Sequence, residues 1–163
     1  WAVERLTRHP EKLERLRAEA LAGGDEPYLT ATIQETLRLR PVIVLVIRKL
    51  TEPVELGGYE LPAGVSATPC IHLIHRHPEI YPEPDRFLPE RFLGNPPGTY
   101  TWIPFGGGVR RCLGAAFAQF EMAVVLRELV KRHQIAPANP KSERPFRRAI
   151  TETPRHDAEV VLS

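Results

Sequence analysis

Seventeen prolines in 163 residues constrain this chain more than any other feature. Proline lacks a backbone donor, fixes its own φ and pushes the preceding residue away from helix, so each one limits where a helix begins or ends. Pro10, after His9, suits the first turn of a helix, with Glu11 at its positive end. Leu13, Leu16 and Ala20 give that helix an apolar stripe, and Gly23-Gly24 ends it. Trp1–Leu6 reads as the tail of an earlier helix. A third helix is expected from about Tyr28 to Arg40, with Leu29, Ile33 and Leu37 on one face and Pro41 as its stop. Six prolines fall between Pro78 and Pro97. Phe87, Phe92 and Leu93 punctuate that stretch, which predicts a long, ordered, mostly irregular loop rather than a linker.

Between these segments the pattern changes. Val42–Ile47 is almost wholly β-branched and predicts a buried strand. Val54–Leu56 and Tyr59–Leu61 around Gly57-Gly58 predict a hairpin. Val65–Cys70 suggests a further strand, and Ile71–His77 a short helix stopped by Pro78. The longest helix should follow Cys112 and end near His133. Its apolar residues span a wide arc, with Leu113, Phe117, Phe120 and Val124 on one face and Val125, Leu129 and Val130 beside it, which predicts deep burial. Short strands are expected near Ala149–Thr151 and Glu159–Leu162. The class is mainly α with small β-sheets.

Composition excludes several functions. A net charge of +2 is too small to argue for nucleic acid. No apolar run approaches the roughly 20 residues of a membrane span, and no signal peptide opens the sequence. Cys70 and Cys112 are too few for a disulfide scaffold and lack zinc-site spacing. His72, His75 and His77 raise a metal site, against the alternative of structural residues flanking a short helix.

The densest chemistry lies in Phe105-Gly106-Gly107-Gly108-Val109-Arg110-Arg111-Cys112-Leu113-Gly114. One cysteine stands after a glycine-rich, basic loop and before a helix. Unpaired N–H groups at a helix start favour a thiolate. The glycines admit something large and flat, and Arg110 offers a positive fork to a carboxylate. These properties suit a haem held by a cysteine ligand. A lone cysteine is also a small buried hydrophobe in many proteins, and glycines are often merely a loop.

The decapeptide resembles the cysteine-pocket signature of the cytochrome P450 superfamily, with Phe105, Gly108, Arg110, Cys112 and Gly114 at its fixed positions. A second likeness supports it: Glu35 and Arg38 in a helical Glu-x-x-Arg pattern, followed by Pro89-Glu90-Arg91-Phe92. The resemblance implies that residues 1–163 are the C-terminal haem-binding portion of a single cytochrome P450 domain, with the N-terminal part upstream. It implies Cys112 as axial ligand of haem b iron, with Phe105, Gly106, Gly108 and Gly114 shaping the cofactor loop. Arg48 and Arg110 would meet the haem propionates. Glu35, Arg38 and Arg91 would form a buried charge triad locking the long loop. Val42, Val44, Val46, Ile150 and Thr151 match regions that line substrate pockets, and His75 matches a structural position.

The implied activity is that of a haem-thiolate monooxygenase. It would insert one oxygen atom of dioxygen into a lipophilic substrate, with electrons from NAD(P)H delivered by a ferredoxin or flavoprotein reductase. Arg111, Arg127, Lys131 and Arg132 would give the cysteine side a positive face for an acidic redox partner; a solvated helix face is the alternative. The location would be cytoplasmic in a bacterium, or membrane-attached through an upstream segment. Three other readings compete: a haem-binding module without oxygenase turnover, a nucleophilic-cysteine enzyme using His133 or another histidine, and a truncated, inactive fragment.

Overall fold

The computed structural model describes all 163 residues. Five α-helices form in chain order: α1 (Ala2–Thr7), α2 (Pro10–Ala22), α3 (Pro27–Leu39), α4 (Ile71–Ile74) and α5 (Ala115–Arg132). Eight short strands pair into four antiparallel ribbons. β1 (Arg48–Lys49) pairs with β4 (Ser66–Ala67), β2 (Val54–Leu56) with β3 (Tyr59–Leu61), β5 (Ile135–Pro137) with β8 (Val160–Leu162), and β6 (Pro145–Arg148) with β7 (Thr151–Pro154). No helix is long and apolar enough to cross a membrane.

Proline sets the helix ends as the sequence suggests. Pro10 occupies the first turn of α2 and Pro41 follows the cap of α3; Pro27, at the first position of α3, is a start that the sequence reading did not use. Gly23 closes α2 at φ 71°, a left-handed conformation that a side chain resists. The start of α3 has a partner that sequence did not reveal: Glu19 accepts from the Tyr28 and Leu29 amides, each at 2.8 Å. A carboxylate there satisfies two orphan donors and meets the positive end of the helix dipole.

The core lies where α1, α2, α3 and α5 meet the proline-rich loop. Leu6, Leu16, Leu29, Ile33, Leu126 and Val130 pack there with Tyr81, Phe87, Phe92 and Trp102. The loop is ordered by this packing and contains a 3₁₀ turn at Pro89–Phe92.

Three expectations are corrected. Val42–Ile47 is not a buried strand: Val42, Leu45 and Ile47 are exposed, and only Arg48–Lys49 enter a ladder. Its backbone is used one residue at a time, with Glu152 N–H donating to Val42 O at 2.8 Å and His72 N–H to Val44 O at 3.1 Å. Of Val65–Cys70, only Ser66–Ala67 form a strand. The third correction is α5, where Ala115, Leu126 and Val130 are buried while Leu113, just before it, and Phe117, Phe120 and Val125 are exposed. The reason is that α2 and α3 cover one side of the helix only.

Candidate functional site

The approach to Cys112 is built from α3 outward. Arg38 and Glu35 lie one helical turn apart with fully buried side chains. Arg38 Nε donates to Glu35 Oε2 at 2.6 Å and Nη2 to Oε1 at 2.9 Å, a forked pair of charge-assisted bonds. Arg91 Nε lies 3.2 Å from the same carboxylate. Glu35 also accepts from the Leu88 amide at 2.8 Å. Arg38 donates to the carbonyls of His75, Pro84 and Arg86, at 2.6, 2.8 and 3.2 Å. Arg91 donates to Pro82 O at 3.1 Å. The structure thus brings Glu35, Arg38 and Arg91 together, and their spare donors hold the loop's backbone.

The next connection was only faintly legible. His75 is fully buried, with its Nδ1 3.1 Å from Arg38 O, while the Ile103 amide donates to its Nε2 at 2.9 Å. Ile103 leads directly into the cysteine loop. There Gly106 N–H donates to Ile103 O at 2.9 Å and Cys112 N–H to Phe105 O at 2.9 Å. Those bonds close the loop on itself. Gly106 and Gly108 adopt φ of 72° and 63° within it, so both positions demand glycine. The Trp102 and Phe105 rings meet edge-on, and Trp102 is anchored by Nε1–H to Gln34 O at 3.0 Å.

Cys112 is an exposed free thiol. It opens onto a cleft of about 520 Å³ shared with Arg110, Arg48, Phe105, Gly106, Val42 and Val46, in which seven of eleven lining residues are hydrophobic. Neither Arg48 nor Arg110 has a carboxylate partner; the Arg48 guanidinium donates only to its neighbour Ile47 O. A thiol and two unpaired guanidinium groups therefore face one apolar space.

Other sequence-predicted site residues fall outside the cleft lining. Val44 contributes its carbonyl to His72 N–H. Ile150 is exposed at the β6–β7 turn, and Thr151 begins β7, one residue before the Glu152–Val42 hydrogen bond. Gly108 lines a neighbouring polar cleft with Tyr100 and Arg111. Gly114 is the N-cap of α5, and a Cβ there would meet Cys112 Sγ at 3.8 Å, an ordinary contact.

Three readings change. The positive face is partly neutralised: Arg127 pairs with Glu26, and Arg132 with Glu128. A Cys112–His133 nucleophilic pair is ruled out, because α5 separates them. At about 1.5 Å per residue its 18 residues span about 27 Å. The histidine trio is not a metal cluster. His72 Nδ1 lies 3.0 Å from Arg76 Nη1, and His75 uses both ring nitrogens on backbone.

Comparisons with known proteins agree with this geometry. Residues 1–158 match the family model described as Cytochrome P450. The Mycobacterium tuberculosis (strain ATCC 25618 / H37Rv) protein named "Putative cytochrome P450 135B1" is 48% identical over 165 residues, covering 98% of this chain and 35% of the relative. "Putative cytochrome P450 137" of the same strain is 45% identical over 160 residues, covering 98% and 33%. The chain thus spans about a third of the length of the curated relatives it matches. A solved structure, retinoic acid bound cyanobacterial CYP120A1, superposes with a TM-score of 0.87 at 27% identity, over 99% of this chain and 41% of its own. A cysteine loop moored to a buried Glu–Arg pair, in a chain that matches at this level from end to end, belongs to the cytochrome P450 family.

Proposed function

We propose that this chain is the C-terminal, haem-holding part of a haem-thiolate monooxygenase acting on a lipophilic substrate. The observation that carries this reading is the shared cleft, where Cys112, Arg48 and Arg110 face a mainly apolar space. These residues fit a haem in chemistry. The thiol is free, two cations lack carboxylates and suit two propionates, and the lining suits a flat apolar ring. When bound, haem b would supply the one-electron and dioxygen chemistry by which one oxygen atom enters the substrate.

The chain's own residues perform the rest. Cys112 binds as a thiolate, and the loop closure through Phe105 O fixes its backbone. Phe105, held against Trp102, keeps water from the sulfur side. Gly106 and Gly108 turn the loop, Gly114 starts the following helix, and Arg48 and Arg110 orient the cofactor. Val42 and Val46 present apolar surface to the substrate, with Val44 in the same segment. Ile150 and Thr151 approach through the Glu152–Val42 hydrogen bond. The retinoic acid named with the solved relative is a lipophilic acid, in keeping with such a surface. NAD(P)H-derived electrons from a ferredoxin or flavoprotein reductase complete the reading. Arg111 and Lys131, outside the ion pairs, are the positive side chains offered to that partner.

The test is the reduced, carbon monoxide-bound spectrum of the full-length protein. The expected result is the strongly red-shifted Soret band of thiolate ligation, lost in Cys112→Ser. A red-shifted band that survives in Cys112→Ser overturns the assignment. Val46→Phe should change the spectral shift produced by lipophilic substrates and leave the carbon monoxide band intact. Unchanged substrate affinity in that variant removes Val46 from the pocket.

A further inference from the structure

His75 is the one buried histidine, and it joins the Glu35–Arg38 pair to the cysteine loop. Its surroundings allow one protonation state. The Ile103 amide is a donor, so Nε2 must be an unprotonated acceptor; Nδ1 then carries the hydrogen and donates to Arg38 O. Arg38 returns a hydrogen bond to His75 O at 2.6 Å, so the two residues clasp each other. From Ile103 the connection runs on through Gly106 to the loop closed by Cys112.

We propose that His75 is a positioning residue for Cys112: its neutral imidazole pins the segment entering the cysteine loop, and protonation of that ring releases it. A proton on Nε2 would set N–H against N–H at Ile103 and place a cation beside the Arg38 guanidinium in a fully buried site. The groups facing the ring are unfavourable to charge. Arg38 comes from α3, with Glu35 already committed to it; His72 comes from α4 and Arg76 follows it. Tyr81, from the proline-rich loop, presents its ring edge-on with centroids 6.4 Å apart. Burial, with Arg38, Arg76 and His72 acting in the same direction, lowers the His75 pKa from 6.5 to about 4 despite the hydrogen bond to Arg38 O. The connection is therefore intact at neutral pH and opens as pH falls toward 4.

This inference rests on the thiolate reading of Cys112, and the experiment separates the two. The full-length haem protein is titrated from neutral to acid, and the red-shifted carbon monoxide band is followed in wild type and His75→Gln. Glutamine can donate to Arg38 O and accept from Ile103 N–H but does not titrate. The expected result is a wild-type band lost on acidification and a His75→Gln band that survives to at least one pH unit lower. Loss at the same pH in both overturns the role of His75. Absence of the band in wild type at neutral pH overturns the Cys112 reading instead. Should His75→Gln fail to take up haem, pulse hydrogen exchange on the wild type decides, with the pulse at one fixed pH after brief acid exposure. Peptides covering residues 103–112 should lose protection before α3 does. Simultaneous loss sinks the proposal.

Discussion

At the scale of single residues, the largest stakes sit on Glu35. Its carboxylate faces Arg38 and Arg91 in a site where its side chain is 0% exposed. Such a pair is weak evidence for stability, since desolvation offsets much of the attraction, yet removing one partner strands the other charge. Glu35→Gln should therefore destabilise the full-length protein by about 3–5 kcal/mol, read as a lowered urea midpoint. A midpoint within error of wild type would mean the charges are solvated. His75 adds a pH dependence with a definite sign. Its folded pKa, about 4, lies below the ordinary 6.5, so the unfolded chain binds the proton first. Its contribution is complete above pH 6.5, falls away between 6.5 and 4 and changes no further below that. The pair Glu35 and Arg38 was legible because a three-residue spacing puts both on one helical face. The ring bonds of His75 were not, because the Ile103 amide that donates to it lies 28 residues away in sequence.

Elements were legible where local chemistry decides them. Pro10, Gly23 and Pro41 set ends of α2 and α3, and Gly57-Gly58 turns the β2–β3 hairpin, each through backbone conformation. Val42–Ile47 was misread because β-branched residues report a fit to apolar surroundings rather than a ladder. Here the surroundings are the wall of the cleft that Val42 and Val46 line. Two predictions belong at this scale. Glu19→Gln keeps the size but loses the charge at the start of α3; it should cost about 0.5–2 kcal/mol and lower the melting temperature without altering the carbon monoxide band. Gly106→Ala should strain the cysteine loop by about 1–2 kcal/mol, because that residue sits at φ 72°. Its haem content should fall while helical circular dichroism stays unchanged. Full haem content in Gly106→Ala would show that the loop tolerates a side chain.

For the whole molecule, the apolar arc of α5 was legible but its burial was not, since burial depends on what lies opposite. Leu113 is fully exposed, and Phe117 and Phe120 are 67% and 66% exposed. An uncovered apolar face of this kind favours association. The isolated 163-residue polypeptide should bind an apolar fluorescent dye and sediment as aggregates, and Phe117→Lys with Phe120→Lys should reduce both. A monomeric, dye-silent wild-type polypeptide would contradict that. The ends of the chain are joined through side chains. Trp1 Nε1–H donates to Glu152 O at 3.3 Å, Glu4 accepts from the Glu143 amide at 3.0 Å, and Arg8 donates to the carbonyls of Asn139, Pro140 and Lys141. That stitch sets a timetable for synthesis. A ribosome adds about 5–20 residues per second, so Glu4, already paired with Arg5 beside it, must wait several seconds for the Glu143 amide, and Arg8 for the carbonyls it holds. A stop codon just before Asn139 would leave α1 to α5 encoded and Arg8 without the carbonyls it holds.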